Sequence, residues 1–154
     1  MREHEERLRA IIEERSIDAE HLSLDHSCHS VAEAARTVGA EPEDFVKSIC
    51  MVDRDGNAVV AIVKGEDRAS TSRVAKALGI ERPRVASPDE ILELTGFPVG
   101  GIPGFGFDAI FLVDPRVLEK ETAYLGGGSE CSLVRMPIHE LVRVNGGTVV
   151  RVRK

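Results

Sequence analysis

Apolar positions recur along this chain at two spacings, and the alternation between them lays out its elements. Leu8, Ile11 and Ile12 fall on one helical face within residues 3–15, which predicts an amphipathic opening helix. A second helix is expected from Ser30, where Ser30 and Glu33 form an S-x-x-E capping box ahead of Val31, Ala34, Ala35 and Val38, and Gly39 supplies the stop. The runs FVKSICMV (45–52) and AVVAIVK (58–64) are rich in β-branched and apolar residues, and the DRDGN between them predicts a hairpin. Residues 70–78 read as a short helix closed by Gly79, with a strand expected at 84–86. Ser87, Pro88 and Glu90 open a further helix that ends at Gly96. AIFLV (109–113) has the short continuous apolar run of a buried strand, and Asp114 with Pro115 should start a brief helical turn. Strands are expected at 122–125, 131–135 and 148–152, with a helix at 137–142. This irregular alternation with a tight hairpin favours an α+β fold with a mixed sheet.

Composition leaves that picture intact. The 154 residues are 42% hydrophobic and 30% charged, ordinary for one globular domain, and no repeat, low-complexity tract or linker divides them. The opening MREHEERLRAIIEERS is a charged helical pattern, so no secretory signal is expected, and no stretch approaches the roughly 20 apolar residues of a membrane span. Cys28, Cys50 and Cys131 are odd in number and never spaced as CxxC, which indicates neither a disulfide framework nor a zinc ribbon. A reducing, cytoplasmic setting without membrane contact is expected. The net charge of −6 argues against broad binding to a nucleic-acid backbone. A local contact stays open, because Lys64, Arg68, Arg73, Lys76, Arg82 and Arg84 form a basic stretch, which also reads as a solvated helix face.

Three features invite chemistry. Lys47 shares a strand face with Phe45, Ile49 and Met51, where an ammonium is costly unless it reaches water or an anion. It is either a snorkelling side chain at the strand's start or a cation at the mouth of a cleft. GFPVGGIPGFG (96–106) packs five glycines and two prolines into eleven residues. It can be neither regular helix nor central strand, and its free amides can form a pocket for a developing negative oxygen or simply a structural loop. GGGSE (126–130) lies between two expected strands, and Ser129 there could donate a hydrogen bond or sit in a plain connector. His26, Cys28 and His29 suggest a metal, but no second cluster supplies the remaining ligands, and neither metal nor cofactor is expected. Cys50 and Cys131 read as packing residues, and the absence of G-x-S-x-G gives an acyl-serine hydrolase no support.

In order and spacing, LDHSCHSVAEAARTVG, EDFVKSICMV, GFPVGGIPGFG and LGGGSECSLVRMPIHELVRVNGG together resemble the YbaK and prolyl-tRNA editing-domain family, from about residue 24 to the end. The family includes freestanding deacylases and the insertion domain of bacterial prolyl-tRNA synthetases. The resemblance implies a mixed, barrel-like β-sheet surrounded by helices, and hydrolysis of the ester bond of misacylated tRNA. Lys47 matches the family's essential lysine, which helps hold the tRNA's 3′-terminal aminoacyl-adenosine. Gly100, Gly101, Ile102, Pro103 and Gly104 match its GxxxP loop, whose amides surround the substrate carbonyl, although here proline stands at 103 and glycine at 104. Gly127, Gly128 and Ser129 match a later glycine-rich turn walling the pocket, and His26 and Ser30 match positions near its rim.

Such chemistry needs no side-chain nucleophile, because an aminoacyl ester is already activated and a placed water with oxyanion stabilisation can suffice. The resemblance implies substrate assistance by the ribose 2′-hydroxyl or a cysteinyl thiol. It points to alanyl- or cysteinyl-tRNAPro as substrate, with a prolyl-tRNA synthetase as a candidate partner. Arg68, Arg73 and Lys76 are the basic residues expected to meet the tRNA. The rival readings are a non-catalytic module that recognises a tRNA end or nucleotide and assists a synthetase, and a general esterase. The sequence is silent on oligomeric state.

Overall fold

The helices stop and start where side chains and glycines satisfy their terminal backbone groups. The computed structural model describes residues 2–26, 28 and 30–154, and its first helix, α1 (Arg2–Glu14), buries Leu8 and Glu5. In α2 (Val31–Val38), α3 (Thr71–Leu78) and α4 (Pro88–Thr95), the hydroxyls of Ser30, Ser70 and Ser87 accept the amides of Glu33, Arg73 and Glu90. Each such cap contributes about 1 kcal/mol. Gly39, Gly79 and Gly96 close these helices in left-handed conformation. The last helix, α5 (Ile138–Asn145), runs three residues beyond its expected end to Gly146.

Strands β2 (Val46–Val52) and β3 (Ala58–Lys64) form the expected antiparallel hairpin. Every residue of β3 is buried because it is a central strand covered on both faces. It pairs in parallel with β5 (Ile110–Val113), which in turn pairs with the short β8 (Thr148–Val149); β4 (Arg84–Val85) borders β2 at Met51 and Val52. The order in this five-stranded mixed sheet is β4-β2-β3-β5-β8. A second, antiparallel sheet has the order β1-β7-β6, from β1 (Glu20–Ser23), β7 (Ser132–Pro137) and β6 (Thr122–Gly126).

Strand alternation sorts the core into layers. Val60 and Ile62 of β3 pack with Leu8, Ile91, Leu125, Val134 and Leu141 between the sheets and helices, while Val59, Ala61 and Val63 face Val74 of α3. Phe45 joins Ala34, Ala35 and Leu133 in a third cluster and stacks on Tyr124 at 4.9 Å. The two sheets meet through the isolated parallel bridge Phe45↔Tyr124 rather than through a continuous ladder. The architecture is therefore the expected α+β, with two linked sheets in place of a closed barrel.

Candidate active site

Beside β2, the two sheets splay apart. Tyr124 of β6 touches the strand's outer edge at Phe45, and β4 reaches it at Met51, with the Ala86 amide donating to the Cys50 carbonyl at 3.0 Å. Between these points no described strand pairs with that edge. A cavity of about 510 Å³ fills the gap, within the range of small-molecule sites. It wraps the free edge, so residues from both strand faces, Lys47 and Ile49 as well as Val46, Ser48 and Cys50, contribute to the wall. Val85, Ala86 and Ile91, Ser30 and Ala34, and Gly100, Ile102, Gly126 and Glu130 complete the lining, with Ser30, Gly100 and Glu130 exposed to solvent.

Lys47 lines this cavity half-buried and forms no ion pair or hydrogen bond among the described residues. By contrast, the other lysine of the hairpin, Lys64, is buried and engaged by Glu66 and Glu119 at 3.4 and 3.0 Å. The Ser48 hydroxyl is also buried in the cavity wall without a hydrogen-bond partner among the described residues. Burial pushes the Cys50 thiol up, which keeps it neutral and unsuited to nucleophilic attack.

The glycine loop is shaped by backbone meeting backbone. The Gly128 amide donates to the Gly101 carbonyl at 2.8 Å, the Gly101 amide to the Pro98 carbonyl at 3.1 Å, and Asn145 Nδ2 to the Gly104 carbonyl at 3.0 Å. A β-carbon at Gly101 would lie 2.6 Å from the Gly128 carbonyl carbon, and one at Gly126 would lie 2.8 Å from that of Ile102. Glycine is required because any side chain would drive the segments apart. The amides of Gly100, Ile102 and Gly104 make no hydrogen bond among the described residues, whereas that of Gly101 is engaged and Pro103 has none. The loop therefore carries three unengaged amides among the described residues, two of them on residues that line the cavity, Gly100 and Ile102, while Gly104 is buried outside its wall.

The second glycine-rich turn supports this loop from behind. Ser129 is 1% exposed, and its hydroxyl donates to Glu5 Oε2 at 2.8 Å. Glu5, itself 6% exposed on α1, also accepts from Ser23 at 2.9 Å. The carbonyl of Gly127 accepts from His21 Nε2 at 2.7 Å, and burial lowers the pKa of this imidazole. Gly127, Gly128 and Ser129 thus stand behind the cavity wall, which on this turn is made by Gly126 and Glu130.

The remaining candidates divide. Ser30 lines the cavity while capping α2. His26 lies outside the wall, with Nε2 3.2 Å from the Thr37 hydroxyl, to which Cys28 also points at 3.9 Å; His29 is outside the described residues. No group of three potential metal ligands occurs among the described residues. Of the basic stretch, Lys64 and Arg84 are consumed in ion pairs and Arg82 bonds Thr71, which leaves Arg68, Arg73 and Lys76 unpaired among the described residues. No described helix is long and apolar enough to cross a membrane. A broader depression of about 710 Å³ lies beside Leu118, Ile138 and Val142, and its one lysine, Lys120, is held by Glu43 and Asp44.

The sequence signal for Lys47 was its place on an apolar strand, and for the loop its glycine and proline density. Ser48, Glu130, Val85 and Ile91 gave no comparable signal, because strands distant in sequence bring them together. A serine inside VKSICMV and the glutamate that closes GGGSE were the available hints.

Comparison with known proteins places this geometry in context. A solved structure described as a candidate trans-editing enzyme for prolyl-tRNA synthetase superposes with a TM-score of 0.89 at 29% identity, covering 98% of this chain and 97% of that one. The multifunctional Ser/Thr-tRNA deacylase ProXp-y of Escherichia coli is 31% identical over 113 residues, 70% of this chain and 66% of that protein. The proline–tRNA ligase of Thermotoga neapolitana is 28% identical over 98 residues, 64% of this chain, and the match spans only 17% of the ligase. The sequence model of the aminoacyl-tRNA editing domain matches residues 25–144, an interval that contains every residue lining the cavity beside β2, and the chain belongs to that family.

Proposed function

We propose that the chain hydrolyses the ester of misacylated tRNA, with residues 1–154 acting as one editing unit. The carrying observation is an unpaired Lys47 in the same cavity as the unengaged amides of Gly100 and Ile102. The 3′-terminal aminoacyl-adenosine enters this cavity. Lys47 holds its polar groups, and the loop amides receive the oxyanion as water attacks the carbonyl carbon. Fixed donors around the carbonyl stabilise developing charge without reorganising, which lowers the barrier to attack by water without calling on a side-chain nucleophile. The Ser48 hydroxyl adds a further donor or acceptor in the wall. Ser30 contributes to the rim, and His26, which lies outside the wall, is proposed to act near it only through the substrate. Gly104 and Pro103 fix the loop's exit, and Gly127, Gly128 and Ser129 hold the loop from behind. Arg68, Arg73 and Lys76 are the cations proposed to meet the tRNA backbone.

Alanine or cysteine on tRNAPro is the proposed acyl group, and the name of the Escherichia coli relative adds seryl- and threonyl-tRNA to the substrates worth assaying. Purified protein is incubated with tRNAPro charged with Ala, Cys or Pro and with Ser- and Thr-tRNA. Deacylation of at least one mischarged species, lost on Lys47→Ala, is expected. Binding without turnover across the panel overturns the hydrolytic reading in favour of a recognition module.

A further inference from the structure

Among the described residues, two charged side chains line the cavity beside β2, Lys47 and Glu130. Lys47 has a role in the reading above; Glu130 has none. Its carboxylate makes no ion pair or hydrogen bond among the described residues, although the residue itself is firmly placed. The Glu130 carbonyl accepts the Cys28 amide at 2.9 Å, and the next carbonyl, that of Cys131, accepts the Leu24 amide at 2.6 Å. The side chain then passes over Gly100: a β-carbon there would lie 3.3 Å from Glu130 Cγ and 3.7 Å from Oε1. A carboxylate is thus stationed at the first residue of the amide-bearing loop, and glycine at 100 leaves room for it.

We infer that Glu130 recognises the free α-ammonium of the aminoacyl group and so restricts the site to esters whose amine is unacylated. This rests on the ester-hydrolase reading. In an aminoacyl ester the amine nitrogen is bonded to the carbon next to the carbonyl. A carbonyl held by the amides of Gly100 and Ile102 therefore brings that nitrogen beside Gly100, where the carboxylate lies. Free α-amines have pKa values of about 7.7–8.0, so a substantial fraction is cationic at neutral pH. Val46, Ile49, Val85, Ile91 and Leu125 make much of the wall, and its hydroxyls, those of Ser30, Ser48 and Ser132, are neutral. Its other charge among the described residues is the cation Lys47, so an ammonium held there without an anion would recover little of its lost hydration. The carboxylate provides the compensating charge. An N-acylated ester, such as a peptidyl or formylated one, lacks the cation and places an acyl oxygen against the carboxylate.

The test measures two things on the full chain. Calorimetry compares binding of a hydrolysis-resistant 3′-aminoacylamino-3′-deoxyadenosine with that of its N-acetyl form, and kinetics compares aminoacyl-tRNA with N-acetylaminoacyl-tRNA. The wild type should prefer the free amine by about tenfold or more, the scale of a charge-assisted hydrogen bond. Glu130→Gln should abolish the preference, chiefly through KM and the dissociation constant, while Glu130→Asp retains part of it. Glu130 is exposed, so these variants are expected to fold. Equal binding of the two analogues by the wild type, or an undiminished preference in Glu130→Gln, overturns the inference. Hydrolysis that ignores N-acetylation overturns it while the hydrolase reading stands. A Glu130-dependent preference in binding without turnover of any ester sustains it and removes that reading. Failure to bind either analogue, with no turnover, removes both.

Discussion

Replacing Gly101 with alanine tests whether the glycine loop is held by direct backbone packing. A β-carbon there would lie 2.6 Å from the Gly128 carbonyl carbon and 2.7 Å from the Ser129 Cα. Carbon atoms rest at about 3.5–4.0 Å, so the segments must separate by roughly 1 Å. Neither neighbour is a flexible side-chain end that could swing aside. Overpacking of this kind costs about 1–3 kcal/mol. Separation also stretches the 2.8 Å bond from the Gly128 amide to the Gly101 carbonyl, adding about 1 kcal/mol. Gly101→Ala is therefore expected to lose about 2–4 kcal/mol in urea unfolding, with an unchanged m-value. Gly104→Ala is the control: its β-carbon would meet Leu141 Cδ1 at 3.0 Å and Ile62 Cδ1 at 3.3 Å, side-chain ends at longer range rather than backbone, and it should cost less. In deacylation, Gly101→Ala should lower kcat because the amides of Gly100 and Ile102 shift. A Gly101→Ala protein within about 0.5 kcal/mol of wild type would refute the packing argument, since surface substitutions alone fall in that range.

Three further outcomes follow from buried polar groups. Asp114 is fully buried and accepts from the amides of Arg116, Val152 and Arg153 and from the Arg153 guanidinium; Asp114→Ala orphans these donors and should cost about 3–5 kcal/mol in chemical denaturation. Glu5→Ala removes the acceptor of the Ser129 and Ser23 hydroxyls; a loss of about 1–3 kcal/mol is expected, with faster hydrogen exchange of the Gly128 amide, and unchanged exchange would contradict the support role. Stability should fall on acidification. The Arg143 guanidinium and then the Asp18 amide hold Glu140 at about 2, against an ordinary 4.5. Burial alone would raise Asp114, but the amides of Val152, Arg116 and Arg153 and the Arg153 guanidinium bring it below the usual range. Both carboxyls are depressed in the folded state, so their contribution is complete above about 4.5 and is lost as pH drops toward 2; a flat thermal midpoint across that window would contradict this.

Local chemistry was legible where it acts locally. Ser30, Ser70 and Ser87 at helix starts, Gly39, Gly79 and Gly96 at helix ends, and the turn between β2 and β3 all stand where short-range stereochemistry puts them. Strand β1 was not foreseen, because EHLS carries no apolar alternation and becomes a strand only through its pairing with β7. The parallel pairing of β3 with β5 is equally non-local. At the site, Lys47 and the loop at 100–104 were readable from their own oddity. The cavity that joins them was not, since it arises where β6 and β4 take opposite ends of one strand edge. Glu5 was hidden among the charged residues of α1, where nothing in sequence marks one carboxylate as buried.

The first helix lies upstream of the interval that defines the family, yet it completes the interior. Leu8 is fully buried in the main apolar cluster, and Glu5 sits beneath the turn that backs the loop. A fragment trimmed to residues 25–144 would retain every wall residue of the cavity but would also lose β1, baring the edge of β7. An empty socket would replace Leu8, and Ser129 would be left with no carboxylate to receive its proton. In this protein, the stretch that chemistry marks out is shorter than the stretch that must be folded for that chemistry to hold its shape.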